Sequence, residues 1–119
     1  MVENVNKTIK FYTEILDFQM VMAMPQEADE YCFAIMHNGD VEIMLEEQKT
    51  LEEEVSYFKD KAIGGTFTMY IETSDVEKRY NDLKEKVTVV KELQDTCYKT
   101  KEFGITDNNG YVLVFAEKL

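Results

Sequence analysis

FGITDNNGYVLVFAE, residues 103–117, is an extended run, a tight turn and a second run that alternates. Asp107, Asn108, Asn109 and Gly110 supply the turn, because Asn and Asp side chains bond their own backbone and glycine tolerates positive φ. Beyond it Val112, Val114 and Ala116 fall on one face and Tyr111, Leu113 and Phe115 on the other, the period of two that marks a strand. Both faces are apolar, so the strand lies between two covers. The reading sets Tyr111, Leu113 and Phe115 against helices and turns Val112 and Val114 toward a core or a ligand cavity.

Upstream of this hairpin the chain alternates between helical and strand periods. Asn4 is placed to cap a helix over residues 4–16, whose Val5, Ile9, Tyr12 and Leu16 make one apolar stripe. Residues 18–24 (FQMVMAM) read as a strand that puts Met20, Met22 and Met24 on one face, a flexible lining suited equally to a core and to an adaptable pocket. Residues 31–36 (YCFAIM) form a second strand. His37, Asn38, Gly39 and Asp40 then turn the chain into a third, residues 41–47, with Asn-Gly as the hairpin signal. On that third strand Glu42, Met44 and Glu46 share a mixed face that meets solvent or a partly polar cavity. His37, the single histidine, is read as a surface residue, and Cys32 as a core residue.

Residues 48–65 are polar, end in Gly64-Gly65, and read as a linker carrying a short helix or ordered loop between module one (1–47) and module two (66–119). Module two opens with a strand over 66–72. A helix follows, capped by Ser74 or Asp75 and buried through Val76, Tyr80 and Leu83; a weaker strand over 87–94 leads to the final hairpin. Aligning Val5 with Val76 sets Asn4 on Asp75, Lys7 on Lys78 and Tyr12 on Leu83, an internal echo of one supersecondary unit. The copies differ at their start: only Met1, Val2 and Glu3 stand where the first module's opening strand is expected, so that strand reads as missing or truncated.

Composition narrows the function classes. A net charge of −11 repels phosphate backbones and leaves no basic stripe for nucleic acid. No apolar run approaches the ~20 residues of a membrane span, and no charged-then-apolar leader opens the sequence, so a soluble, cytoplasmic protein is expected. Cys32 and Cys97 have no metal-like spacing and read as free thiols. The glutamates at 52–54 lack the alternating oxygen ligands of a calcium loop.

FYTEILDF (11–18), TMYIETSDVEKRYNDL (68–83) and ITDNNGYVLVFAE (105–117), in this order, resemble the vicinal oxygen chelate superfamily, which includes glyoxalase I, extradiol dioxygenases, fosfomycin-resistance enzymes and bleomycin-resistance proteins. The resemblance implies an α+β fold of two βαβββ modules, a curved sheet around a cavity, and a homodimer. Its enzymes hold a divalent metal through inward side chains of the first and last strands of each module. Those positions fall on Met44, Thr68 and Val114, and the fourth precedes the residues present. A thioether, a hydroxyl and an alkyl group do not make a site for such an ion. The expectation is therefore a metal-free, cofactor-free relative of the bleomycin-resistance branch, with no catalytic residue assigned. It would bind a cationic or partly apolar small molecule against Glu42, Met44, Thr68, Tyr70, Val112 and Val114. The alternative is a metal-dependent lyase or dioxygenase whose ligands lie elsewhere.

Overall fold

The computed structural model describes residues 1–119. It is an α+β chain of two compact units, residues 1–63 and 64–119. The first unit runs α1 (Val5–Leu16), β1 (Gln19–Met24), β2 (Phe33–Asn38), β3 (Val41–Glu46) and α2 (Gln48–Glu54), followed by one 3-10 turn at Ser56–Phe58. The second runs β4 (Thr68–Glu72), α3 (Val76–Leu83), β5 (Thr88–Asp95), β6 (Thr100–Thr106) and β7 (Val112–Lys118). Each unit has its own sheet, ordered β1-β2-β3 in the first and β4-β7-β6-β5 in the second.

In the first unit α1 starts where Asn4 Oδ1 accepts the Lys7 amide at 2.9 Å. Its far end is closed by Asn38, whose amide donates to the Leu16 carbonyl at 2.9 Å. Val5, Tyr12 and Leu16 are buried, as are Ala23, Ala34, Met36 and Leu45 of the sheet. The hairpin between β2 and β3 is tighter than its composition implied. Asn38 pairs with Val41, so only Gly39 (φ 58°) and Asp40 turn the chain, and His37 belongs to the strand.

Two further expectations for this unit are corrected. The methionines of β1 do not all share a face: a bulge between Met20 and Met22 sets Met20 opposite Met36, while Met22 and Met24 stand together opposite Ile35 and Phe33. One extra residue moves a side chain to the other side of a sheet, and no local signal in a run of apolar residues announces it. Cys32 lies just outside β2 and is only half-buried.

The opening strand of the first unit is represented by a single parallel bridge, Val2 to Glu47. Val2 N–H donates to the Glu46 carbonyl at 2.9 Å, as Thr73 N–H donates to the Ala116 carbonyl at 2.9 Å in the second unit. Val2 is buried and holds the place that Thr73 holds immediately after β4.

In the second unit β4 runs parallel to β7, and β7-β6-β5 are antiparallel. Phe103, Ile105, Leu113 and Phe115 are buried on one face together with Val76 and Leu83 of α3. Tyr80 sits edge-on to Phe103 at 5.3 Å and the Arg79 guanidinium covers Phe115. The start of α3 departs from expectation. Asp75 occupies the N-cap position, but with φ 54° its side chain makes no cap; instead Glu117 Oε2 of β7 accepts the Val76 amide at 3.0 Å. Tyr111 precedes β7 and packs against Phe67 at 5.4 Å, so it does not join Leu113 and Phe115 in the strand.

The β6–β7 turn is built on Asp107, which is buried and accepts the amides of Asn109 (2.8 Å) and Tyr111 (3.0 Å). Asp107→Ala leaves both amides short of an acceptor and is expected to lower the unfolding free energy by about 1–2 kcal/mol. Urea denaturation followed by circular dichroism checks this, with an unchanged slope against denaturant expected.

Candidate functional site

The face of the second sheet turned away from α3 carries three rows of neighbouring residues. Across β4, β7 and β6 they are Thr68-Val112-Thr106, Tyr70-Val114-Gly104 and Glu72-Ala116-Glu102. Thr68, Tyr70, Val112 and Val114 are therefore brought together in adjacent rows. Glu42 and Met44 stand on β3 of the first unit, where Met44 is 61% exposed beside Ile35 and Glu42 pairs with His37 at 2.5 Å. His37 is thus a partner of a nominated residue.

Glu102 lies on this face of the second sheet, on the interior strand β6, and is 1% exposed. Four donors converge on its carboxylate. Oε1 accepts Tyr70 Oη at 2.9 Å and Thr100 Oγ1 at 2.8 Å; Oε2 accepts Lys91 Nζ at 2.6 Å and Tyr98 Oη at 3.3 Å. Burial alone would raise its pKa, but the bonds from Lys91, Thr100 and Tyr70 outweigh that and hold it at about 2. The Tyr70 phenol is pushed the other way, upward, first because it donates to this carboxylate.

Gly104 makes the arrangement possible. A Cβ there would come within 3.2 Å of Lys91 Cβ, so the missing side chain leaves room for Lys91 to lie across β6 toward Glu102. Register shifts in β5 on both sides of Lys91 complete the aim.

Next to this network opens a cleft of about 350 Å³ lined by Tyr70, Glu72, Thr73, Ser74, Thr100, Ala116 and Lys118. Its rim holds a Glu72–Lys118 ion pair at 3.3 Å. A cleft of similar size in the first unit is bounded by Glu3, Glu47, Gln48, Lys49, Glu52 and Asp60, none of them buried.

Reading the sequence picked out Tyr70 and missed Glu102, Lys91, Tyr98 and Thr100. One signal was present: in TKEFGIT (100–106) a glutamate alternates with Phe103 and Ile105, placing a carboxylate on the inner side of an interior strand.

A divalent ion has little to bind here. Of the positions at which the superfamily resemblance implies ligands, Thr68 and Val114 lie on this face and Met44 on the other sheet, and they offer a hydroxyl, an alkyl group and a thioether. The carboxylate of Glu102 already has four donors on its two oxygens, one of them an ammonium that a cation would have to displace. At these three positions the residues present do not fit the metal.

Solved structures share this architecture end to end. A protein of unknown function from Agrobacterium tumefaciens str. C58 superposes with a TM-score of 0.80 at 20% identity, covering 100% of this chain and 89% of that one. A glyoxalase/bleomycin resistance protein/dioxygenase from Nocardioides gives 0.83 at 16% identity, with 99% and 78% covered. A family enzyme of the same description from Burkholderia phytofirmans PsJN gives 0.78 at 16% identity, with 99% and 93% covered. At these identities the likeness speaks for the fold. No curated protein matches the chain. The sequence itself, however, fits the model of one family over residues 1–115, which takes in both units and the Glu102 face. By that match the chain belongs to the Glyoxalase/Bleomycin resistance protein/Dioxygenase superfamily.

Proposed function

We propose that the protein binds a small organic molecule in the second unit's cleft, beside Tyr70 and Thr100, without a divalent metal and without chemistry on the ligand. The observation that carries this reading is the state of Glu102. A catalytic base needs a pKa near the working pH and a free lone pair; this carboxylate sits at about 2 with four donors on it. It is a fixed anion that orders the side chains around a cleft. Mixed polar and apolar lining, from Tyr70, Thr73, Thr100 and Ala116, suits a partly apolar ligand held by a few directed hydrogen bonds. Thr68, Val112 and Val114 extend the same face; Glu42 and Met44, paired with His37 and Ile35 in the first unit's own sheet, are proposed as ligand-contacting residues of that unit by itself.

The proposal includes a homodimer and a cytoplasmic location. In support, Met24, Val41 and Met44 leave apolar surface exposed in the first unit, both cysteines are free, and no helix is long and apolar enough to cross a membrane.

Elemental analysis of protein purified from metal-supplemented medium is expected to find no stoichiometric nickel, zinc, manganese or iron. A thermal-shift screen of small molecules is expected to raise the melting temperature with at least one. One metal per chain, with lyase or dioxygenase turnover, would establish the enzymatic alternative instead.

A further inference from the structure

The cleft's polar groups are not neutral as to what they ask of a ligand. Each hydroxyl at its floor has one proton, and the carboxylate of Glu102 claims it. Tyr70 Oη donates to Oε1, and so does Thr100 Oγ1. Since the Thr100 proton is spent there, Thr96 is the donor in the 2.7 Å contact between Thr96 Oγ1 and Thr100 Oγ1, its proton shared with the Thr100 carbonyl at 3.2 Å. The chain of bonds is directed, Thr96 to Thr100 to Glu102, with Tyr70 pointing to the same end.

What these groups show the cleft is therefore lone pairs. Tyr70 is 52% exposed and its oxygen, with the proton turned inward, accepts. Thr73 Oγ1 likewise spends its proton on the Ser74 carbonyl. Glu72 adds a carboxylate of which only Oε1 is engaged, by Lys118. The remaining side-chain donors are the exposed Ser74 hydroxyl and the Lys118 ammonium, whose side chain is largely in water and already paired.

We propose that this cleft selects a ligand that donates hydrogen bonds, a small molecule carrying a protonated amine or amidine, with Tyr70 Oη and Glu72 as its acceptors. The inference rests on the small-molecule reading of the same cleft. Glu102 keeps its orienting charge throughout the neutral range, because its pKa lies at about 2, and Tyr70 keeps its proton because its own is raised. A carboxylate or phosphate ligand would instead face oxygen lone pairs and the Glu72 charge, an arrangement that repels it.

Benzamidine and benzoate are matched in shape and opposite in hydrogen-bonding sense. In amide-resolved NMR titrations of the full chain at pH 7, benzamidine is expected to shift Tyr70, Thr73 and Ala116, with benzoate at least about tenfold weaker. Tyr70→Phe keeps the ring and removes the acceptor, so it is expected to weaken benzamidine by roughly three- to tenfold. Glu72→Gln is a second variant on an exposed position that leaves folding intact and is expected to reduce the preference further. Benzoate binding in the cleft as tightly as benzamidine, no binding there by either probe, or indifference of benzamidine to Tyr70→Phe would each overturn the inference. Equal affinity for both probes in metal-free protein defeats this inference alone. Stoichiometric metal defeats the metal-free reading while the preference between probes still reports on the cleft.

Discussion

Phe103→Ala is expected to lower the unfolding free energy by about 4 kcal/mol, within the range for emptying a fully buried aromatic site. Phe103 has no exposed surface and stacks on Phe115 with centroids 5.0 Å apart and planes at 17°. Tyr80 closes a second side at 5.3 Å, and β5 and β7 flank it in the sheet. Sheet backbone cannot move in to fill such a hole without breaking ladder hydrogen bonds, so little of the cavity collapses. Phe103→Leu keeps most of the volume and is expected to cost about a third as much. Equilibrium urea unfolding of the three proteins checks the order; a loss below about 2 kcal/mol for the alanine variant would show that α3 settles onto the sheet when the ring is removed. Because Phe103 points away from the cleft, the folded fraction of the variant should bind benzamidine as the parent does.

That residue is also where the legibility of the chain divides. Phe103 opens the run whose alternation gave the fold, and Leu113 and Phe115 on its partner strand face the helix as period two requires. Asn4 was readable as a cap because the capping bond is local, three residues long. Asp75 has the same place in the echo but takes a left-handed conformation, and its role passes to Glu117, on a strand 41 residues beyond the Val76 amide that it accepts. The β1 bulge was invisible for the opposite reason: Gln19–Met24 contains no glycine or proline to mark the extra residue. Glu102 stands one residue before Phe103 and was still overlooked. Its partners come from residues 70, 91, 98 and 100, and only the folded sheet makes them neighbours. Val114 could be placed by resemblance because a strand fixes its parity; the carboxylate network could not, because hydrogen bonds between distant strands leave no period in the sequence.

The ion pair at the heart of that network should be the most costly polar contact to break. Lys91→Met keeps the stem over Gly104 and removes the ammonium 2.6 Å from Glu102, leaving a buried carboxylate with hydroxyl donors alone. Breaking a buried pair from one side costs about 3–5 kcal/mol, and since Lys91 retains 31% side-chain exposure the expected loss is about 3 kcal/mol at pH 7. The pH dependence separates this cause from lost packing. Glu102 has its folded pKa depressed from 4.5 to about 2, so its contribution to stability is complete above about 4.5 and disappears as pH falls toward 2. Without Lys91 the folded pKa rises, and the variant has less to lose over that interval. The gap between parent and variant should therefore narrow steadily below pH 4.5, whereas a packing defect would leave it constant. Lys91→Met combined with Glu102→Gln removes both charges while keeping an acceptor for Tyr70 and Thr100, and should recover most of the loss. A gap that stays constant with pH would refute the ion pair as the source.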